Sequence, residues 1–296
     1  MVLEFINVSK SFGEKQVLKG VSFSAEGGKA FGLLGRNGAG KTTTIRILMN
    51  VFPADEGKIL LDGKPIDYDK VGIGYLPEER GLYPKKLIID QLVYFAELKG
   101  MSKKEAVRSI DYWLGRLGMN EYRNKRLDTL SKGNQQKIQL ITALAHNPDV
   151  VILDEPFSGL DPVNAMLLKD VVREEIALGK IVLFSSHQMG YIEEFCDSIA
   201  IMSAGKIAVC GDLWDIKRAY ARDRLIVRTR DAERIQRDFG AAATKREDGS
   251  VLIRMPSAED KQSVMMRLAE AYDIDEMRVF EPPLNDIFVE HAGKEI

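Results

Sequence analysis

The sequence predicts an α/β protein built on a largely parallel sheet, with a small antiparallel sheet at its start, a helical lobe and a small α+β domain at its end. Short apolar runs, such as residues 150–153 and 181–184, alternate with helical stretches and glycine turns until about residue 215. This alternation is typical of a parallel sheet covered by helices. The length of 296 residues suits one large domain or two unequal ones.

The N-terminal segment predicts the small antiparallel sheet. Residues 3–8 and 20–24 are strand-like, and the polar segment 9–16 is expected to join them. Further along, residues 88–140 carry a polar-rich helical pattern. This pattern predicts a helical lobe at about residues 84–140, inserted into the α/β core.

The end of the chain predicts a second, smaller domain. Its strand-like segments are residues 225–229, 243–246, 251–255 and 277–280, and its helical segments are 231–239 and 257–272. The order βαββαβ is that of a ferredoxin-like domain, and a tail helix is expected near residues 284–291. We therefore expect one domain at residues 1–219 and an accessory domain at residues 220–296.

Composition excludes several classes of protein. The net charge of −2 provides no basic field that would hold nucleic acid or an anionic membrane, so no nucleic-acid partner is expected. No apolar run approaches the roughly 18 residues of a membrane span, and the start of the chain does not resemble a secretory signal. The cysteines, Cys196 and Cys210, lack the spacing of a zinc site and suit a reducing cytosol.

A glycine-rich loop is the strongest motif of the chain. Residues 35–42 fit the pattern G-x-x-x-x-G-K-[ST], after an apolar strand and before a helical segment. Its glycines let backbone N–H groups converge on phosphate oxygens, and the helix start adds the positive end of a dipole. The predicted nucleotide contacts here are Gly35, Arg36, Asn37, Gly38, Ala39, Gly40, Lys41, Thr42 and Thr43.

This loop predicts ATP and Mg²⁺ as cofactors. We expect Lys41 to bridge the β- and γ-phosphates and to contribute to catalysis through its charge. The hydroxyl of Thr42 would ligate Mg²⁺, and Thr43 would donate to a phosphate.

Two carboxylates end a second apolar strand. Asp154 and Glu155 follow residues 150–153, and ligands of open α/β sheets bind at the carboxyl edge where such a strand ends. We expect Asp154 to hold Mg²⁺. Because successive residues of a strand alternate in direction, Glu155 is expected to point the other way and to polarise the attacking water as a general base.

Residues 130–135 read Leu-Ser-Lys-Gly-Asn-Gln. This segment resembles the Leu-Ser-Gly-Gly-Gln signature of the ATP-binding-cassette (ABC) ATPases. It lies ahead of a helix and at the family's usual spacing before Asp154. Ser131 and the N–H of Gly133 would make an anion site at the helix start. By resemblance, this site binds the ATP held by the opposite subunit. The signature residues are Ser131, Lys132, Gly133, Asn134 and Gln135, with Lys132 and Asn134 departing from the family pattern.

Other positions are assigned by the same resemblance. Asp161, in Ser-Gly-Leu-Asp, takes the place of the family's D-loop along the dimer seam. His187 stands where the family carries its switch histidine, which contacts the γ-phosphate as part of the catalytic machinery. Phe12 matches the aromatic residue that stacks on adenine, and Val17 is expected to line the same pocket.

Glu78 is the main departure from the family pattern. It takes the position of a glutamine that senses Mg²⁺ and water. An ionised carboxylate there would add negative charge near the γ-phosphate. We expect Glu78 to keep its contact with the metal and to make turnover respond more to pH.

The resemblance covers about residues 2–215 and fits best the sodium- and drug-export ATPases of the NatA-like, YhaQ-like and DrrA-like (ABC-2 type) group, whose tails end like Pro-Leu-Asn-Asp-Ile-Phe at 283–288. It implies an ATP-hydrolysing subunit of an exporter, with sodium ions, drugs or peptides as candidate cargo. Two ATP-binding subunits, identical or closely homologous, would enclose two ATP molecules head to tail and drive a separate integral membrane permease.

The same resemblance places the chain at the cytoplasmic face of the cell membrane, held there by the permease. Leu82 and Tyr83 are expected to provide apolar contacts for a short helix of that permease.

Two alternatives stay open from the sequence. The chain could be a soluble ABC-type ATPase that acts on ribosomes or nucleic acid, although only about 90 residues separate the phosphate loop from the signature, too few for the long coiled coils of chromosome ATPases. Import in place of export is compatible with the same cassette chemistry. A non-catalytic regulator is disfavoured because Lys41, Asp154 and Glu155 occur together.

Overall fold

A computed structural model describes residues 1–79, 81–158, 160–186, 188–220 and 223–292. By contact, this part of the chain divides into two units. The first contains Met1–Leu213 and the described residues from Phe288 onward, and the second contains Trp214–Ile287. The predicted domains at residues 1–219 and 220–296 stay a prediction.

The strands and helices of the described residues are numbered in chain order. The strands are β1 (Val2–Phe12), β2 (Lys15–Glu26), β3 (Ala30–Gly35), β4 (Glu56–Leu61), β5 (Lys64–Pro65), β6 (Ile73–Leu76), β7 (Val150–Asp154), β8 (Ile181–Ser185), β9 (Ser198–Ser203), β10 (Lys206–Asp212), β11 (Arg224–Thr229), β12 (Ala243–Lys245), β13 (Val251–Arg254) and β14 (Ile274–Val279). The helices are α1 (Lys41–Leu48), α2 (Ile88–Leu98), α3 (Lys103–Arg116), α4 (Lys132–Leu144), α5 (Pro162–Ala177), α6 (Met189–Phe195), α7 (Leu213–Arg218), α8 (Ala232–Phe239), α9 (Lys261–Ala271) and α10 (Leu284–Ala292).

The first unit opens with the predicted antiparallel sheet, in the strand order β2-β1-β4-β5. The prediction of a polar connection at residues 9–16 is wrong, because β1 and β2 continue through it. Ser11 pairs with Gln16 and Phe12 with Lys15, so the chain reverses tightly at Gly13, whose φ is 59°. Pairing between the strands satisfies the backbone of this polar stretch and overrides its low strand propensity.

The second sheet of this unit has the strand order β10-β9-β3-β8-β7-β6. Its neighbours are parallel, except that β10 runs antiparallel to β9. Every residue of β3, β7 and β8 is buried. These strands are therefore covered on both faces, which explains their unbroken apolar runs. The predicted parallel core is confirmed.

The turn from β3 into α1 depends on two glycines with positive φ. Gly38 has a φ of 84°, and Gly40, which caps α1, has a φ of 112°. Side-chain-bearing residues rarely adopt such angles. A Cβ atom at Gly40 would lie 2.6 Å from Cδ2 of the fully buried Leu18, whereas one at Gly38 would meet nothing within 4 Å. The turn is thus closely packed at Gly40 and open at Gly38.

The predicted helical lobe consists of α2, α3 and α4, with short 3-10 helices at Asn120–Tyr122 and Leu127–Thr129. Helix α3 begins with a capping box: the Ser102 hydroxyl accepts a hydrogen bond from the N–H of Glu105, and the Glu105 carboxylate accepts one from the N–H of Ser102. Its residues Ile110 and Leu114 are fully buried. The lobe extends slightly beyond the predicted end, to Leu144.

The second unit has a four-stranded sheet within its described residues, in the order β12-β13-β11-β14 with antiparallel neighbours. Together with α8 and α9, this confirms the predicted βαββαβ order and the ferredoxin-like topology. Its core contains Leu225, Val227, Val251, Ile253 and Leu268. Alternate residues of β11 and β13 thus belong to one core cluster with the helices, and Ile226 on the other face of β11 is buried as well.

Across the described residues, none of the helices combines the length and the apolar character that crossing a lipid bilayer requires.

His146, just after α4, is a buried histidine with an altered pKa. Burial, together with the nearby positive charge of Lys99, lowers its pKa to about 4. Its Nε2 lies 3.2 Å from the carbonyl oxygen of Ile73, while its Nδ1 has no hydrogen-bond partner. The folded protein therefore holds this imidazole in its neutral form at a pH where an exposed histidine would accept a proton.

His146→Gln should reduce the loss of stability in mild acid. In the unfolded chain, His146 binds a proton below about pH 6.5, whereas in the folded chain it does so only below about pH 4. The free energy of unfolding therefore falls as the pH drops from about 6.5 to about 4. Between pH 7.5 and 5.0, we expect urea unfolding to show a loss smaller by about 2 kcal/mol in the variant than in the wild type. Equal losses would show that His146 does not titrate in this way.

Gly40→Ala should destabilise the protein more than Gly38→Ala. Both substitutions force a side chain onto a positive φ, but only the first also drives a Cβ atom into Leu18. We expect an additional loss of about 1–2 kcal/mol in the free energy of unfolding for Gly40→Ala, measured by urea unfolding without nucleotide. Similar losses in the two variants would contradict this account of the turn.

Candidate functional site

A cleft of about 1050 Å³ lies at the carboxyl edge of the parallel sheet. Gly35 at the end of β3, Glu78 beyond β6 and Asp154 at the end of β7 all line it. Because these strands are parallel, their carboxyl ends meet at one edge of the sheet, where ligands of open α/β sheets bind. The fold therefore brings together three segments that are distant in sequence.

The glycine-rich loop lies along one side of this cleft. The predicted contacts that line it are Gly35, Arg36, Asn37, Gly38, Gly40, Lys41, Thr42 and Thr43. Ala39 is 6% exposed and is not part of the lining. Its N–H donates to the carbonyl of Arg36, so Ala39 supports the loop from behind.

Lys41 lies at the start of α1 and faces the carboxylates of the cleft. Its Nζ donates to the carbonyl oxygen of Gly35 at 2.6 Å. Burial lowers the pKa of Lys41, and the negative charges of Asp154, Glu155 and Glu78 oppose that shift. The positive end of the helix dipole adds to the charge of this ammonium group. This side of the cleft therefore suits a polyphosphate anion.

Asp154 and Glu155 are both buried and both line the cleft, at 7% and 6% exposure. The prediction that Glu155 points away from Asp154 is wrong. The strand ends at Asp154, and Glu155 adopts a left-handed φ of 48°, which breaks the alternation of side chains. Such backbone strain outside glycine is uncommon and clusters at functional sites.

Each of these carboxylates is held by a hydroxyl group from a neighbouring strand or its extension. The Tyr75 hydroxyl donates to Oδ2 of Asp154 at 3.3 Å, and the Ser186 hydroxyl donates to Oε2 of Glu155 at 2.9 Å. Burial raises the pKa of Asp154. Sequence reasoning missed Tyr75 and Ser186, because their role depends on the pairing of β6 and β8 with β7.

The side chains predicted to hold Mg²⁺ lie in the same cleft. The Thr42 hydroxyl and the carboxylates of Asp154 and Glu78 are oxygen donors, the type that Mg²⁺ prefers. Among the described residues, no group of three His, Cys, Asp or Glu side chains is arranged to hold a metal ion by itself. This donor set fits Mg²⁺, which is commonly bound through one or two carboxylates together with the phosphates of a substrate.

The signature and the D-loop lie at the starts of two helices that adjoin each other. Ser131 caps α4, and its hydroxyl accepts from the N–H of Asn134 at 3.4 Å. Asp161 caps α5 and accepts from the N–H of Asn164 at 2.9 Å. A Cβ atom at Gly133 would lie 3.2 Å from the Asn164 amide. The side chain of Gln135 donates to the carbonyl of Leu130 at 2.9 Å. In the part of the chain that is described, none of the signature residues lines the cleft.

Three further residues were predicted to contact the nucleotide: His187, Phe12 and Val17. His187 lies outside the described residues, so its role stays a prediction. Phe12 is not brought into the cleft: it is 49% exposed, and its ring meets that of Phe52 edge-on, with centroids 5.4 Å apart. Val17 does line the cleft, as predicted.

The cleft also contains residues that sequence reasoning missed. These are Lys15, Gln16, Lys19, Ala204 and Phe288. The first three flank Val17 in β2, so the prediction for Val17 already pointed to their segment. Ala204 and Phe288 are distant in sequence, and only the folded chain places them here.

Comparisons with known proteins agree with this geometry. The ABC transporter family matches residues 18–158, and the C-terminal domain of DrrA1-3-like ATP-binding proteins matches residues 211–292. An uncharacterized ABC transporter ATP-binding protein of Bacillus subtilis, YhaQ, is 43% identical over 99% of both chains. The Nod factor export ATP-binding protein I of Paraburkholderia xenovorans is 33% identical over 99% of this chain and 98% of its own.

Solved structures support the same assignment. The structure of an ATP-binding subunit of an ABC transporter matches with a TM-score of 0.68 and 30% identity, over 74% of this chain and 93% of that one. The predicted fold, an ABC ATPase core with antiparallel and helical subdomains, is thereby confirmed. This chain belongs to the ATP-binding proteins of ABC transporters, a family of ATPases coupled to transport.

Proposed function

We propose that this chain is the ATP-hydrolysing subunit of an exporter and that it drives a separate integral membrane permease. The observation that carries the proposal is the cleft itself, in which the phosphate loop faces the buried carboxylates of Asp154 and Glu155. Export is supported by the relative named as a Nod factor export protein. The permease would select the cargo, and the candidate cargoes are sodium ions, drugs or peptides.

Binding begins with charge and backbone hydrogen bonds. The N–H groups of the loop between Gly35 and Lys41 converge on the phosphates of ATP, and the start of α1 adds its dipole. Lys41 exchanges its hydrogen bond to the Gly35 carbonyl for contacts with the β- and γ-phosphates. A desolvated ammonium group attracts phosphate more strongly than an exposed one, because water no longer screens the interaction.

The hydroxyl of Thr42 and the carboxylate of Asp154, with Glu78 beside them, would hold Mg²⁺, which neutralises charge on the phosphates when bound. Tyr75 fixes the Asp154 carboxylate through its hydroxyl group. The anchored carboxylate lines the cleft. Glu78 keeps its predicted role as a metal contact.

Hydrolysis requires a base for the attacking water. Glu155 accepts a proton from that water as its oxygen attacks the γ-phosphorus, and the bond from this phosphorus to the bridging oxygen breaks. The Ser186 hydroxyl, which donates to Oε2, orients the carboxylate. His187 is proposed to contact the γ-phosphate. Positioning and charge stabilisation supply most of the acceleration in phosphoryl transfer.

The site is completed by a second copy of the chain or a close homologue. The start of α4, with Ser131 and the N–H of Gly133, is an anion site that does not line the chain's own cleft. Two chains arranged head to tail would place each signature against the ATP of the other. Such a contact is isologous, and ATP stabilises it because the closed arrangement alone contains both sets of contacts.

The permease is proposed to contact the chain beside the helical lobe, at the cytoplasmic face of the membrane. Tyr83 is 54% exposed and stacks on Phe95, with ring centroids 6.2 Å apart. Its N–H donates to the buried side chain of Gln91 in α2. Leu82 beside it is partly exposed. A rigidly held aromatic ring with an exposed face suits contact with an apolar helix of a partner.

Glu155→Gln should abolish turnover while it preserves ATP binding. The amide keeps the size of the side chain but cannot accept the proton, so we expect ATP hydrolysis to fall about 10²–10⁴-fold. With Mg²⁺ and ATP, light scattering should show a species of twice the mass of the single chain, because dimers close but cannot reopen.

Glu270→Gln, an exposed change in the second unit, is the matched control and should leave turnover unchanged. Near-wild-type hydrolysis by Glu155→Gln would rule out its role as the base. If Glu155→Gln kept the mass of a single chain in the presence of Mg²⁺ and ATP, that result would contradict the proposed dimer.

A further inference from the structure

The cleft has a part that the phosphates do not explain. Besides the glycine-rich loop and the carboxylates, its lining consists of Lys15, Gln16, Val17, Lys19, Ala204 and Phe288. The β2 segment and the turn before β10 are tied together, since the N–H of Lys19 donates to the carbonyl of Gly205 at 2.8 Å. Val17, Ala204 and Phe288 give this part of the cleft apolar surface, Gln16 adds an amide, and Lys15 and Lys19 add positive charge. The apolar surface and the amide suit a flat heterocycle.

Phe288 is the one aromatic side chain among the described residues that line the cleft. Phe12, the aromatic residue expected there, instead meets Phe52 edge-on outside the lining. A purine base binds well against an aromatic ring, because stacking removes the facing surfaces of both rings from water. This contact does not depend on which base is present. The cleft therefore contains an aromatic group suited to a base, and it comes from the last helix of the chain.

Phe288 lies on helix α10, which has buried positions and an exposed one. Leu284 and Ile287 are fully buried and Ala292 is 4% exposed, whereas Val289 on another side of the helix is 56% exposed. Phe288 is itself partly buried, and by contact it belongs to the same unit as the cleft. Phe288 thus lies on a helix that is buried one turn before it, at Leu284, and one turn after it, at Ala292.

We propose that Phe288 contacts the base of the bound nucleotide and contributes to its affinity. The inference rests on the nucleotide-binding role of the cleft and adds a binding residue from the C-terminal helix, far in sequence from the phosphate loop. The base is recognised by its flat π surface, so the contact favours nucleotides over inorganic phosphates without selecting one base.

Two probes separate contact with the base from contact with the phosphates. ADP contains both parts, and inorganic pyrophosphate contains the phosphates alone; neither is hydrolysed at the γ-position, so binding is measured without turnover. Calorimetry with Phe288→Ala should show ADP binding weakened by about 10-fold and pyrophosphate binding unchanged. GDP should weaken by the same factor as ADP. Val289→Ala, an exposed neighbour on the same helix, should bind all three as the wild type does.

Phe288→Leu provides a second test, should the alanine variant fail to fold. Leucine keeps much of the buried volume but has no π face, so ADP should again weaken while pyrophosphate does not. Unchanged ADP binding in both variants would overturn the proposal. Equal weakening of ADP and pyrophosphate would also overturn it, because it would mean that α10 only supports the phosphate loop. A wild-type chain that binds pyrophosphate as tightly as ADP contradicts the base contact but leaves the phosphate site intact.

Discussion

The site depends on parallel strands that end at the same edge of one sheet. Gly35 and Asp154 end two of these strands, and Glu78 and Ser186 follow two others. The strand order matters because no local interaction links the phosphate loop to the carboxylates along the chain. The central strands β3, β7 and β8 are buried on both faces, which stabilises them in the interior of this sheet.

Local backbone geometry then converts this edge into a cleft. Gly40 adopts a φ of 112° where the chain enters α1, and Glu155 adopts a left-handed φ of 48° where it leaves β7. The conformation of Gly40 lets the N–H groups of the loop converge. The conformation of Glu155 interrupts the alternation of side chains along the strand, so its carboxylate lines the cleft together with that of Asp154. Both conformations cost free energy. The Ser186 hydroxyl and the packing of Leu18 around the loop help to offset that cost.

Motifs with fixed local spacing were predictable from the sequence. The glycine-rich loop, the acidic strand end and the βαββαβ order each depend on residues that are close together in the chain, and the structure and relatives agree with them. What the sequence could not predict depends on distant pairing. Tyr75 reaches Asp154 only because β6 lies beside β7, and Phe288 reaches the cleft only through the position of α10. The extent of β1 was misjudged for a related reason, since its polar end is stabilised by pairing with β2.

The central claim is that the chain hydrolyses ATP on behalf of a membrane permease. The most direct measurement is to affinity-purify the tagged chain from detergent-solubilised membranes and to identify and quantify its partners by mass spectrometry. We expect a membrane protein with many spans, in near-equal molar amount. Ribosomal proteins, or no membrane partner under conditions that preserve complexes, would contradict it and favour a soluble ATPase of the same family.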